Sequence, residues 1–141
     1  MRHFNPATGI DILSVAPSSK ASLTQRAGRA GRTAPGKTFR LFPESALLRL
    51  DESTVPEICR TDLTGFILQL KALGVSNVLR FDYLDNPPSS MLVRALELLY
   101  ALGALDDSGH LTPQLGLKMA EIPLDPMMTK IVSKILSQLL H

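Results

Sequence analysis

Gln25-Arg26-Ala27-Gly28-Arg29-Ala30-Gly31-Arg32 is the stretch whose residue types and spacing could do chemistry. On a helix, at about 100° per residue, Gln25, Arg29 and Arg32 stand at i, i+4 and i+7, within roughly 60° of one another. Gly28 and Gly31 lie on the adjoining flank, where a missing Cβ admits a second surface. Arg26 points away, toward its own fold or solvent. Guanidinium forks match phosphate oxygens bidentately and stay charged at every relevant pH. Two of them on one face suit a polyphosphate whose charge grows in the transition state, and an amide beside them can orient a water for in-line attack. A helical glycine costs about 1 kcal/mol relative to alanine, so two beside the arginines point to a steric need. The same residues also admit two other readings, a solvated basic helix and an arginine-rich RNA-binding helix. The second explains the glutamine and the glycine spacing poorly.

A second pattern overlaps the first. Residues 31–38, Gly-Arg-Thr-Ala-Pro-Gly-Lys-Thr, match the phosphate-binding P-loop letter for letter. Such a loop must follow a strand and open a helix, so that backbone N–H groups and the helix N-terminus cradle the phosphate. Here the expected order is reversed, with a helix before and a strand after, and Pro35 removes one N–H. It is rejected as an ATP-binding loop, which leaves an independent small P-loop ATPase, resting on this pattern alone, as the weakest of the functional readings.

The 141 residues suffice for one ordinary domain or two small ones, and 45% apolar with 20% charged residues is the composition of a folded protein. The net charge is only +2. However, Arg26, Arg29, Arg32, Lys37 and Arg40 crowd one segment, with no acidic residue between Asp11 and Glu44. Local charge therefore points to an anionic partner. The single cysteine, Cys59, excludes an internal disulfide, fits a reduced compartment and reads as a small buried apolar residue. His3, His110 and His141 stand apart, without metal-ligand spacing. The N-terminus lacks the apolar core of a signal peptide, and no apolar run approaches the ~20 residues of a membrane span. A soluble protein outside the secretory route is expected.

The elements that must position the chemistry begin with a hairpin at roughly residues 3–16, turning at Asn5-Pro6-Ala7-Thr8-Gly9 and stopped at Pro17. A helix is predicted over about residues 21–31 and a half-buried strand over 38–42. Beyond Pro56 the pattern becomes amphipathic helices. One spans 62–73 with Gly74 at C′, a second spans 91–102 before Gly103, and a short one falls at 114–120. Strand, turn and strand are expected over 104–112. Leu63, Phe66, Ile67, Leu70, Leu96, Leu99 and Tyr100 are candidate core. Helix, helix and small hairpin is the order of a winged helix. Asp125 as N-cap and Pro126 at N1 start a last helix whose apolar face carries Met128, Ile131, Val132, Ile135, Leu136 and Leu139. That face needs a partner, so either the helix folds back or the natural protein continues, and the chain is expected to be a fragment.

The octet resembles motif VI of the DEAH-box RNA helicases of superfamily 2. The flanking Ser19-Lys20-Ala21-Ser22 and Gly36-Lys37-Thr38-Phe39-Arg40-Leu41-Phe42 resemble that family too. So do Val55-Pro56-Glu57-Ile58-Cys59-Arg60-Thr61, Phe81-Asp82-Tyr83-Leu84-Asp85 and Pro123-Leu124-Asp125-Pro126. The resemblance reaches about residue 130; residues 131–141 depart from it. It implies an α/β fragment, the end of a RecA-like domain with its β-hairpin, over residues 1–55. A mostly α winged-helix domain over 56–125 and the first helix of a ratchet domain over 126–141 would follow. In motif VI the glutamine helps position the attacking water and the two later arginines act on the γ-phosphate. Those roles fall on Gln25, Arg29 and Arg32, with a structural role left for Arg26. The resemblance further implies ATP with Mg²⁺, the metal held by an absent first RecA-like domain, and no metal ligand here. Expected partners are single-stranded RNA, the rest of the helicase and a G-patch-type or ribonucleoprotein partner, with no membrane. The family's default setting is nuclear RNA processing such as mRNA splicing, otherwise cytoplasmic. Alone, this chain should be inactive. The alternative function is a non-catalytic winged-helix interaction or inhibitory module, produced as a short isoform.

Overall fold

The computed structural model describes residues 1–139. The chain divides into two compact units, one of residues 13–56 with Met1, the other of residues 2–12 and 57 onward. Among the described residues, no helix is long and apolar enough to cross a membrane.

The first unit holds the octet. Helix α1 (Lys20–Gly28) tightens into a 3₁₀ turn (Arg29–Gly31), and a short α2 (Glu44–Leu48) follows. No residue of α1 is buried. Residues 38–42, expected as a strand, form none. Phe39 and Leu41 are 80% and 97% exposed. Alternation makes a strand only where another strand accepts its ladder of hydrogen bonds, and no described segment pairs with this one.

The second unit is built on α3 (Thr64–Ala72) and α4 (Ser89–Ala101), which pack against each other, with α5 (Gly116–Glu121) on α3. Helices α3 and α4 stop by the same device. Gly74 and Gly103 take positive φ at C′; their N–H groups donate to Lys71 and Tyr100, and those of Val75 and Ala104 reach back to Leu70 and Leu99. This Schellman pairing fills carbonyls the helix ends would leave orphaned. Ile67 and Leu99 lie fully buried at the centre, with Leu68, Val78, Met91, Leu92, Ala95, Ala104 and Met119 around them. Leu63 and Leu70 are core as expected, and Leu96 is half-buried. Phe66 and Tyr100 are corrections, both exposed. Phe66 leans on the Tyr83 ring from the helix flank, and the Tyr100 hydroxyl donates to Asp107 at 2.8 Å, which keeps that ring at the rim.

The expected small hairpin at 104–112 shrinks to one antiparallel bridge, Leu105 to Leu111. Its turn is held by the Asp106 carboxylate, which accepts the N–H of Ser108 and of His110 at 2.9 Å. These backbone bonds, His110 first, pull the Asp106 carboxyl below its ordinary range. The N-terminal hairpin, β1 (Arg2–Asn5) and β2 (Ile10–Leu13), belongs to this unit for most of its length. Phe4 donates its N–H to the Arg60 carbonyl at 2.7 Å, and the Arg60 guanidinium donates to the Arg2 carbonyl at 3.0 Å.

Helix α6 (Pro126–Leu139) starts where the sequence predicts, with the Asp125 carboxylate accepting the Met127 N–H at 2.9 Å. It docks through buried Pro126 and Thr129 and half-buried Val132 and Ser133. Met128, Ile131, Ile135 and Leu136 stay about half exposed, so most of the expected apolar face is uncovered. The side chain of Leu139 lies outside the described residues.

Candidate functional site

Gln25 lies on α1, Arg29 opens the 3₁₀ turn and Arg32 follows it, all with right-handed helical backbone. The tightening preserves the shared face. At three residues per turn, positions i and i+3 eclipse, so Arg29 and Arg32 fall in line, roughly 40–60° from Gln25. All three side chains are exposed. Among the described residues, none of them makes a side-chain hydrogen bond or ion pair, and Lys37 and Arg40 are in no ion pair either. This is a concentration of unneutralised cations, whose field attracts an anion. Arg26 differs. Its guanidinium donates to the Ser18 hydroxyl at 3.4 Å and lines a cleft of about 400 Å³ with Leu23, Phe42 and Leu50.

The glycines sort into two kinds. At Gly28 and Gly31 a Cβ would meet nothing within 4 Å, so no described residue uses the space they leave. Gly36 is different, because a Cβ there would stand 2.1 Å from the Ala30 carbonyl oxygen. The loop after the arginines is thus folded tightly onto the 3₁₀ turn. Gly36→Ala must open that contact, and overpacking of this kind costs about 1–3 kcal/mol. The expected result is a lower urea midpoint for the helical signal than in the parent. An unchanged midpoint would show that the loop yields freely.

The P-loop pattern has no phosphate cradle. The segment before it is helical, residues 35–40 are irregular, and the next helix opens only at Glu44. A helix N-terminus aimed into the loop, which phosphate binding of that kind requires, is missing among the described residues. They also include no group of three or more His, Cys, Asp or Glu placed to hold a metal.

Comparison with known proteins places this geometry in context. The winged-helix helicase-associated domain (HA2) matches residues 95–124. Human "Probable ATP-dependent RNA helicase DHX35" is 53% identical over 132 residues, 94% of this chain and 19% of the relative. The Caenorhabditis elegans homolog of that protein is 55% identical over 134 residues, 95% of this chain and 18% of the relative. Among solved structures, the Escherichia coli DEAH/RHA helicase HrpB superposes with a TM-score of 0.83 at 38% identity. It covers 94% of this chain and 17% of HrpB. The chain thus spans about a fifth of the length of these relatives.

What reasoning from residues alone missed at the site is how α1 is held. Ser19 is the residue that caps it and is buried, and its fixation by residues 51–54 leaves no signature in spacing. The one available signal was the family-like Ser19-Lys20-Ala21-Ser22 run, in which a serine precedes a helix as an N-cap does.

Proposed function

Since this chain belongs, in sequence and fold, to the DEAH-box RNA helicases, we propose that it supplies the arginine face meeting the γ-phosphate of ATP in such an enzyme. The single observation that carries the reading is that Gln25, Arg29 and Arg32, spaced for one side of a continuous helical segment, are all exposed and unpaired among the described residues, beside two glycines with open space. Among the described residues, none neutralises these cations and none fills the space beside the glycines. A nucleotide held by a second domain would satisfy both. As water attacks the γ-phosphorus and the bond to the β–γ bridging oxygen breaks, negative charge builds on the phosphoryl and leaving oxygens. The forks of Arg29 and Arg32 neutralise it, and Gln25 accepts or donates a hydrogen bond to hold the water in line. Arg26, tied to Ser18, steadies the helix.

In this reading residues 1–55 close a RecA-like domain, 56–125 are a winged helix and 126–141 begin a helical domain. RNA is the polymer acted on, which the names of the relatives support. The P-loop, and with it the metal-bound nucleotide, belongs to another part of the enzyme.

The test is phosphate release from ATP by the 141-residue chain, with and without single-stranded RNA. Release at the background rate is expected, since half of a two-sided site cannot align the reactants. Release above background that disappears in Lys37→Ala would overturn the reading and make the P-loop pattern functional.

A further inference from the structure

No residue of helix α1 is fully buried, and only Lys20, Ser22, Leu23 and Ala27 are half-buried, so packing against a core does little to fix its direction. Its N-terminal end is held instead by the far end of the same unit. The N–H groups of Lys20 and Ala21 donate to the carbonyls of Asp51 (2.9 Å) and Glu52 (3.0 Å). The Ser22 N–H donates to the Ser19 hydroxyl at 3.2 Å, and that hydroxyl lies 2.9 Å from the Thr54 hydroxyl. Lys20 pairs with Glu52 at 2.6 Å. The first three N–H groups of the helix, ordinarily orphans left to water, are therefore all filled within the protein. Ser19 is only 5% exposed, and its hydroxyl is held between the Ser22 N–H and the Thr54 hydroxyl.

We propose that residues 51–54, through Thr54 on Ser19 and the carbonyls of Asp51 and Glu52, are positioning residues that aim the Gln25–Arg29–Arg32 face. The proposal rests on the phosphate-face reading above. Leverage makes the clamp consequential. Arg29 stands ten residues beyond Ser19, about 15 Å along the axis, so a tilt of roughly 4° at the cap moves it about 1 Å. A misplacement of that size can cost on the order of a hundredfold in rate. The ion pair is the weaker part, since Glu52 is mostly exposed and such pairs contribute little. The hydroxyl pair and the two backbone bonds carry the fixation.

The test uses the full-length human relative with this chain in place of its matching segment, under steady-state ATP hydrolysis with RNA. Thr54→Val is expected to lower kcat about tenfold, with KM for ATP within about twofold of the parent and the melting temperature unchanged. Thr54→Ser, which keeps the hydroxyl, is expected to restore kcat. Parental kcat in Thr54→Val would overturn the clamp, as would a loss that Thr54→Ser does not repair or one that tracks a fall in melting temperature. Arg29→Ala, measured alongside, separates the two failures. If it too hydrolyses like the parent, the phosphate-face reading falls; if it is crippled while Thr54→Val is not, only the clamp falls.

Discussion

Arg29→Ala, in a full-length helicase carrying this chain, is expected to lower kcat for ATP hydrolysis by on the order of 10³-fold or more, the range measured for arginine fingers. The expectation follows from what the side chain lacks. Its guanidinium is exposed and without a partner among the described residues, so its removal leaves no buried group stranded and shifts stability by no more than about 0.5 kcal/mol. An effect on rate without an effect on folding is the mark of a group whose interaction forms only with substrate. Arg29→Lys should recover little, because an ammonium is a point charge and cannot present two parallel N–H groups to phosphate. Arg26→Ala should do less damage to kcat than Arg29→Ala and more to stability, since Arg26 bonds Ser18 and lines the cleft beneath α1. Parallel urea melts and initial rates on the three variants check all of this. Equal kcat losses at Arg26 and Arg29 would contradict the division of labour.

Leu99→Ala is expected to destabilise the second unit by about 2–5 kcal/mol, the range for emptying a buried leucine site. Leu99 is fully buried where α4 meets α3, and its carbonyl also accepts the Ala104 N–H that closes the helix. The truncation therefore opens a cavity at the point where helix packing and helix termination meet. Tyr100→Phe, one residue on, removes only an exposed hydroxyl bond to Asp107 and should cost about 1 kcal/mol or less. Urea titration followed by circular dichroism at 222 nm measures both. A Leu99→Ala midpoint within error of the parent would show that α4 is not the centre of this core.

How much of this was legible beforehand depended on whether a signal was local. Gly74 and Gly103 announce helix ends because a left-handed C′ residue is a one-residue requirement, and Asp125-Pro126 announces a start for the same reason. A shared face for Gln25, Arg29 and Arg32 could be read from spacing, and the 3₁₀ turn, in which i and i+3 eclipse, is compatible with it. Residues 38–42 failed as a strand because alternation specifies a surface and not the neighbour that must pair with it. Phe66 and Tyr100 failed as core because a period of 3.6 residues leaves flank positions undecided between burial and rim. Gly36 and Gly116 escaped altogether. Each admits a carbonyl oxygen at a distance no Cβ would tolerate, that of Ala30 for the first and of Ala104 for the second. Both contacts join residues that only the folded chain brings together. The fixing of α1 by residues 51–54 was illegible for the same reason, since it spans more than thirty positions.

The most direct measurement is a structure of a full-length helicase carrying this chain, bound to ADP and aluminium fluoride, the planar mimic of the phosphoryl group in flight. Guanidinium nitrogens of Arg29 and Arg32 within hydrogen-bond distance of the fluorides, with Gln25 on the attacking water, is the predicted result. A mimic bound with both guanidinium groups turned to solvent, or held by the loop around Lys37, would contradict the account.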